Sequence, residues 1–457
     1  MSQQTSSQQV SPMANAPPFA DPDLRQRLID YLMAVLPELG RKDRRPWAET
    51  YVRGLLLEGE RKSIEPMATR LPDGNVQALQ HFIGKSPWPY EPVRRRIAGV
   101  LCPEMGPGLW IVDDTGFPKQ GKHSVGVARQ YSGTLGKVAN CQIAVSLHHA
   151  TTLASLPIDW ALYLPEAWVQ DPARCARVGV PTPVVHRPKW RLAIDMIDHA
   201  QQWGLPEQRV IADAGYGTIA DFRAALRERH LPYAVGVESG TGVWTRYPRR
   251  RRHPPPGRGR PRTRWDYGGQ RPPSVLEVAR AQPEAAYHTV TWREGSQGHL
   301  RSRFARVRVW PSHGFHEGKP PEAEQWLLIE WPADVAEPTK SWLVTGPRRL
   351  SLLQLVRWAK ARWRVEQDYE QLKGELGLDH FEGRMWQGWH HHVTMTTMAY
   401  GFLVRERLRP RVGSKKTVRV PTVPQVRAQL QYLLKTWTGR CIVCGQRVPR
   451  VINNDSS

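Results

Sequence analysis

Two short apolar runs that each end in aspartate, followed much later by one densely charged helical stretch, narrow the possible folds of this chain further than anything else in it. Leu109-Trp110-Ile111-Val112 stops at Asp113-Asp114-Thr115-Gly116, and Arg209-Val210-Ile211-Ala212 stops at Asp213-Ala214-Gly215-Tyr216-Gly217. Each run is too brief for a helix and is bounded by turn residues, so both read as buried strands opening into glycine-containing loops. A carboxylate at such a strand end is held by a rigid sheet and faces the crevice where open α/β sheets bind ligands. The charged stretch is RWRVEQDYEQLKGELG. At about 100° per residue, Arg362, Glu366 and Lys373 fall within roughly 40° of one another on one helix face. A carboxylate between two cations, joined to two strand-end aspartates, can hold divalent metal while its neighbours grip phosphates. That combination points to phosphodiester chemistry.

The intervals set the architecture. From Asp114 to Asp213 is 99 positions and from Asp213 to Glu366 is 153, too far for one strand–helix connection. The second interval therefore holds an insertion, placed at 239–345. Its runs Tyr287–Trp292, Phe304–Trp310, Gln325–Trp331 and Ser341–Thr345 are rich in Val, Ile, Tyr and Trp and read as strands. Ser351 is the expected N-cap of the glutamate helix, a second helix follows over about 387–407, and a helix over about 219–229 trails Asp213. Residues 125–131 and on through Val145 read as two further strands. Asp113 and Asp114 point to opposite sides of an extended strand, so only one can be the inner ligand.

The order Asp-Thr-Gly, then Ala-Asp-Ala-Gly-Tyr, then Arg-Trp-Arg-Val-Glu with a lysine seven residues after the glutamate, resembles bacterial insertion-sequence transposases of the DDE type. The resemblance spans roughly 105–405. It implies an RNase H-like α/β core interrupted by a β-rich insertion, with Asp114, Asp213 and Glu366 as catalytic residues and metal ligands for two Mg2+ ions, for which Mn2+ can substitute. Many relatives carry a Tyr-Arg-Glu-Lys signature, which Arg362, Glu366 and Lys373 match; Ala359 stands at the tyrosine position. The resemblance further implies end cleavage and strand transfer on double-stranded DNA, meaning the element's terminal repeats and a target, by a homodimer in the DNA complex. Trp363 lies where relatives stack a displaced base, an interaction worth on the order of 1–3 kcal/mol. A structure-selective nuclease without strand transfer and a catalytically silent DNA-binding repressor are the rival readings.

Composition agrees with a polyanionic partner. Lys+Arg 65 against Asp+Glu 42 gives a formal net charge of +23. The excess is partly local: Arg249, Arg250, Arg251 and Arg252 lead into PPPGRGRPRTRW, a Pro/Gly/Arg arm that cannot bury a core and whose guanidiniums suit phosphates. The chain divides into a Ser/Gln/Pro-rich N-terminus (1–20), a helical unit suited to DNA ends (21–104, with helices over 24–36 and 47–57), the first part of the core (105–238), the insertion with its arm (239–345), the second part of the core (346–410) and a basic tail (411–457).

Other signals are weaker. The basic loop Gly116–Ser124 lacks the order of a nucleotide-binding loop but offers backbone NH groups and lysines to a phosphate. Cys441 and Cys444 form a CxxC without a second pair, and five cysteines in all favour a reduced cytoplasm over a disulfide framework. His390-His391-His392 diverge around a helix and cannot chelate together, so they are expected at the surface or facing DNA. Without a signal peptide or a bilayer-spanning apolar run, the expected location is cytoplasmic, at the nucleoid.

The arm yields a direct test. Its nine arginines between 246 and 264 should each add about 0.9 to the slope of log affinity against log salt for every phosphate neutralised. Replacing Arg249–Arg252 with alanine is expected to weaken binding to all duplexes alike and flatten that slope; an unchanged slope would make the arm a solvated linker.

Overall fold

The computed structural model describes residues 23–436, except 134, 207, 250–264, 296–297, 313–314, 316–317 and 410–420. Most of the arginine arm, the tail apart from 421–436, and the Cys441/Cys444 pair lie outside the described residues. Five helices come first: α1 (Leu24–Val35), α2 (Arg45–Leu56), α3 (Ile64–Arg70), α4 (Val76–Gly84) and α5 (Tyr90–Met105). The core begins with β1 (Leu109–Pro118), β2 (Ala128–Ser132), β3 (Lys137–Ala150) and β4 (Ser155–Leu162). Two short helices, α6 (Glu166–Val169) and α7 (Pro172–Arg177), precede α8 (Lys189–Gln202), β5 (Arg209–Ala212), α9 (Ala214–Gly217), α10 (Ala220–Glu228) and β6 (Tyr233–Val237).

Strand pairing defines the fold. β3 lies antiparallel to both β1 and β4, while β1 pairs β5 and β5 pairs β6 in parallel. The spatial order β4-β3-β1-β5-β6, three antiparallel strands followed by two parallel ones with helices between, is the RNase H-like arrangement. β2 is an added strand on β3. Contrary to the expectation from the sequence, β1 does not end at Asp113: it stays paired from Leu109 with Ala150 to Pro118 with Cys141, so both aspartates sit inside the sheet.

The insertion continues this sheet. It contains β7 (Val243–Trp244), α11 (Val275–Arg280), β8 (His288–Gly295), β9 (Gly298–Pro311), β10 (Gln325–Glu330) and β11 (Lys340–Val344), and the four apolar runs fall on β8 to β11. β11 hydrogen-bonds to β6, β10 to β11 and β9 to β10, making one 11-stranded sheet. The join is also ionic. Glu322, ahead of β10, receives Arg223 Nη2 at 2.5 Å and Arg227 Nη1 at 2.5 Å, both from α10, and Arg223 also donates to the carbonyls of Gly217 and Thr218.

The chain returns to the core through α12 (Leu352–Ala359), α13 (Trp363–Gly374) and α14 (Trp386–Leu408), and ends in α15 (Val423–Thr436). Ser351 caps α12 with a reciprocal Gln354 contact. It does not cap the glutamate helix itself: the chain breaks between Ala359 and Trp363, with Arg362 as the N-cap of α13.

α14 is buried on every side, packed by α2, α4, α5, α15 and β4. This overturns the expectation for the histidine run. His390, His391 and His392 are 3%, 0% and 1% exposed. The His391 ring nitrogens face the carbonyls of Ile83 and Trp88 at 2.9 and 2.8 Å. His392 accepts from Tyr51 at 2.8 Å and donates to the carbonyls of Gly377 and Leu378, and burial pushes its pKa down to about 4. The histidines bind the N-terminal helices to the core because a helix enclosed all round must satisfy its polar groups inside the protein.

Arg223 and Glu322 are 1% and 7% exposed. Glu322→Ala leaves two guanidiniums without their carboxylate, and such breakage of a buried pair costs about 3–5 kcal/mol. Denaturant unfolding is expected to show a loss of that order; a change below about 1 kcal/mol, the ceiling for an exposed pair, would mean that the insertion is held by its strand pairing alone.

Candidate active site

Strand alternation sorts the side chains of β1 onto two faces. Asp113 is paired with Ser146 on β3, which in turn pairs with Trp160 on β4, and all three face α13 and α14. Trp160 Nε1 donates to Thr397 of α14 and Ser146 Oγ lies 2.6 Å from Tyr369 of α13. Asp114 points the other way, toward α8. Its Oδ2 accepts from Lys189 Nζ at 3.0 Å and from the Tyr216 hydroxyl at 3.3 Å.

Asp213 comes level with Asp113, not Asp114. β1 and β5 pair in parallel with Leu109 opposite Arg209 and Ile111 opposite Ile211. Two further residues in that register set Asp213 beside Asp113, and parallel neighbours in register share a face. Asp213 then leaves the strand and caps α9, accepting from Tyr216 N at 3.3 Å. The tight turn depends on two glycines: a Cβ on Gly217 would stand 2.0 Å from the Gly236 carbonyl oxygen, and one on Gly236 would stand 2.8 Å from Ala214 N.

Arg362 ties the third element in. Its Nη1 donates to Asp113 Oδ2 at 2.7 Å and its Nη2 to Glu366 Oε1 at 2.5 Å. The charges acting on this guanidinium are those of Asp113, Glu366 and Asp213. Asp113, Asp213 and Glu366 thus surround one cation. Asp114, which the motif resemblance selects, lies on the opposite face, and strand alternation puts Asp113 on the face of Arg362. Burial pushes the Asp113 carboxyl up to about 7, with Asp213 and Asp114 adding to the rise and Arg362 only partly opposing it. Glu366 is far more open, its side chain 58% exposed against 8% for Asp113.

Lys373, expected to meet a phosphate, spans from α13 to the far part of β1, donating to Thr115 Oγ1 at 2.8 Å and to the Gly116 carbonyl at 2.9 Å. Trp363, expected as an open platform for a base, carries the Arg293 guanidinium 3.5 Å above its ring. Arg249 is exposed, and Arg250, Arg251 and Arg252 are outside the described residues.

Beneath the carboxylates runs a buried polar relay that the sequence did not reveal. Tyr369 and Ser146 hydroxyls meet at 2.6 Å, Ser146 Oγ lies 2.8 Å from His148 Nε2, and His148 Nδ1 lies 2.8 Å from Asp368 Oδ2. Ser155 also donates to Asp368, as does the Tyr400 hydroxyl at 2.9 Å. Ser146 and His148 are 0% exposed, so this serine–histidine–aspartate series cannot reach a substrate; it pins α13 to the sheet. A signal for it existed: Val365, Asp368, Tyr369 and Leu372 form the buried stripe of α13 at helical spacing, with an acid inside it.

The residues can be tested against divalent metal on their own terms. Three carboxylates are the hard oxygen set that Mg2+ accepts. Among the described residues, however, no three His, Cys, Asp or Glu side chains converge closely enough to hold an ion. The Arg362 fork stands between Asp113 and Glu366.

Comparison with known proteins places this geometry. A family model described as DDE superfamily endonuclease matches residues 34–299, which include Asp113, Asp114 and Asp213 and stop short of Glu366. Over 189 residues the chain is 30% identical to a probable transposase for insertion sequence element IS701 from Microchaete diplosiphon, covering 41% of this chain and 47% of that protein. The chain therefore spans about half the length of that curated relative. A piggyBac transposase synaptic complex with hairpin DNA aligns over 92% of this chain and 81% of its own, with TM-score 0.46 and 10% identity.

Proposed function

The chain belongs to the DDE superfamily endonucleases, and from that premise we propose that it is the DNA transposase of an insertion sequence, cutting the element's ends and joining them to target DNA. The observation that carries this reading is the gathering of Asp113, Asp213 and Glu366 around Arg362 on one face of an RNase H-like sheet. The partner is double-stranded DNA, and the pairing of two ends calls for two copies of the chain. No helix among the described residues is long and apolar enough to cross a membrane. The chain's excess of basic residues suits a nucleoid location.

Once Arg362 gives up the place it holds between Asp113 and Glu366, Asp113, Asp213 and Glu366 are the residues that would close on a metal, with Mg2+ the proposed ion and Mn2+ able to replace it. Divalent metal in such a site supplies the Lewis acidity that activates an attacking oxygen and stabilises a leaving one. The protein's own contribution is preorganisation. Asp113 is fixed within β1, and Asp213 is fixed directly after the neighbouring β5 by its cap on α9. Glu366 is the movable member, on an exposed side chain held by one partner. Arg362 neutralises the two carboxylates it bridges, and when its Nη2 lets go of Glu366 that arm of the fork becomes free to meet a phosphate oxygen. Lys373 keeps the far end of α13 against β1 and adds positive charge along the same face.

Glu366→Gln is expected to abolish cleavage of the flanking DNA in Mg2+ while leaving binding within a few-fold; cutting near the wild-type rate would remove Glu366 from the site. Asp113→Asn is expected to be inactive. Asp114→Asn, which weakens its contacts with Lys189 and Tyr216, should slow cleavage by about 10–100-fold without abolishing it, as loss of a supporting contact does. The reverse pattern would restore Asp114 as the inner ligand. Pre-cleaved ends supplied with a plasmid should give joined products; cutting without joining would leave a nuclease.

A further inference from the structure

We infer that Arg293, delivered by the inserted sheet, forms with Arg364 and Trp363 a binding site for one backbone phosphate of the DNA strand, one helical turn from Glu366. This deepens the transposase reading and rests on it.

The pairing of β8 with β9 slips at this point: Thr291 is opposite Arg301, whereas Arg293 is opposite Leu300. Two residues, Trp292 and Arg293, therefore face one, which is a bulge, and bulges re-aim side chains. Alternation would send Trp292 and Arg293 to opposite faces, yet both are half-buried on the core side. Trp292 packs edge-on to Phe304 with Lys360 over its ring. Arg293 reaches α13 and lies 3.5 Å above the Trp363 ring, while the Arg364 guanidinium lies 4.8 Å from the same ring. Trp363 precedes Glu366 by three residues, about 4.5 Å along the helix.

Two guanidiniums are thus held against one indole, and neither forms a salt bridge with a carboxylate among the described residues. Arg364 donates to the Thr152 carbonyl. Among the described residues, Arg293 Nε is buried with no hydrogen-bond partner. A half-buried cation with an orphaned N–H loses hydration that the ring's cation–π attraction only partly replaces. A planar guanidinium takes a phosphate in bidentate fashion through its Nη edge, the buried Nε facing inward, and the indole behind it prevents the fork from turning away. The stack is closed at 3.5 Å, leaving no gap for a base between guanidinium and ring, so the ligand that fits is the phosphate at the guanidinium edge. The insertion thereby brings to the catalytic helix an arginine that the core strands cannot supply.

The test uses the full chain in EDTA, where binding is read without cleavage, and duplexes from the flanking DNA carrying a single neutral methylphosphonate moved stepwise along each strand. In the wild-type chain one position near the cut site should be sensitive through Arg293. Arg293→Gln should remove that sensitivity alone and lower the salt slope by about 0.9, one phosphate's share. Arg293→Lys, which keeps the charge, should keep the slope. An unchanged slope and unchanged methylphosphonate map in Arg293→Gln would overturn the proposal, as would loss of sensitivity at every position. A base analogue at the cut site whose fluorescence is quenched by wild type and released only by Arg293→Gln would also overturn it, by showing a base on the indole. Cleavage of the same DNA in Mg2+ is scored separately: cutting with an unchanged map rejects only the clamp, and no cutting rejects the transposase reading while the map still reports on Arg293.

Discussion

The parallel pairing of β1 with β5 governs everything else in the site. Continued two residues past its last pair, Ile111 with Ile211, it brings two aspartates near each other, and two carboxylates so placed repel each other in a setting where one of them has lost most of its water. The cost appears at Asp113, whose carboxyl burial pushes up to about 7 even with Arg362 attached. A sheet that tolerates this needs positive charge nearby. Arg362 supplies it in the structure, standing where Asp113 and Glu366 both reach it.

Once that charge problem exists, the position of α13 follows. The helix must present Arg362 and Glu366 to the strand ends and keep them there, and three sets of contacts do so. Lys373 fastens its C-terminal end to Thr115 and Gly116. The relay through Tyr369, Ser146, His148 and Asp368 fastens its buried stripe to β3. Tyr400 fastens it to α14, itself enclosed by the N-terminal helices. Buried polar contacts of this kind are directional, so they set rotation and register where apolar packing alone would tolerate sliding.

The insertion is part of the same body. β11 adds to β6, and the Glu322 carboxylate receives two arginines from α10, the helix that follows Asp213 and its tight turn. Its bulge then crosses to Trp363. A sheet extended in this way transmits position over a long distance, because each strand is held by its neighbour's backbone.

Local pattern along the chain was enough to set most of the elements. The apolar runs before Asp113 and Asp213 fell on β1 and β5, the four insertion runs on β8 to β11, and Glu366 and Lys373 on α13, with Arg362 as its N-cap. These properties are legible because side-chain periodicity follows from backbone geometry alone. Which side of each element is the inside depended on packing between distant segments. Local pattern could not choose between Asp113 and Asp114, since strand alternation separates them without saying which face α13 covers. The reach of Arg362 shows only which of the two shares its face, and that is Asp113. The histidine run was misread for the same reason: hydrophilic residues on a helix imply solvent until the partners that satisfy them, here Tyr51 and the carbonyls of Ile83, Trp88, Gly377 and Leu378, arrive from elements far away in the chain.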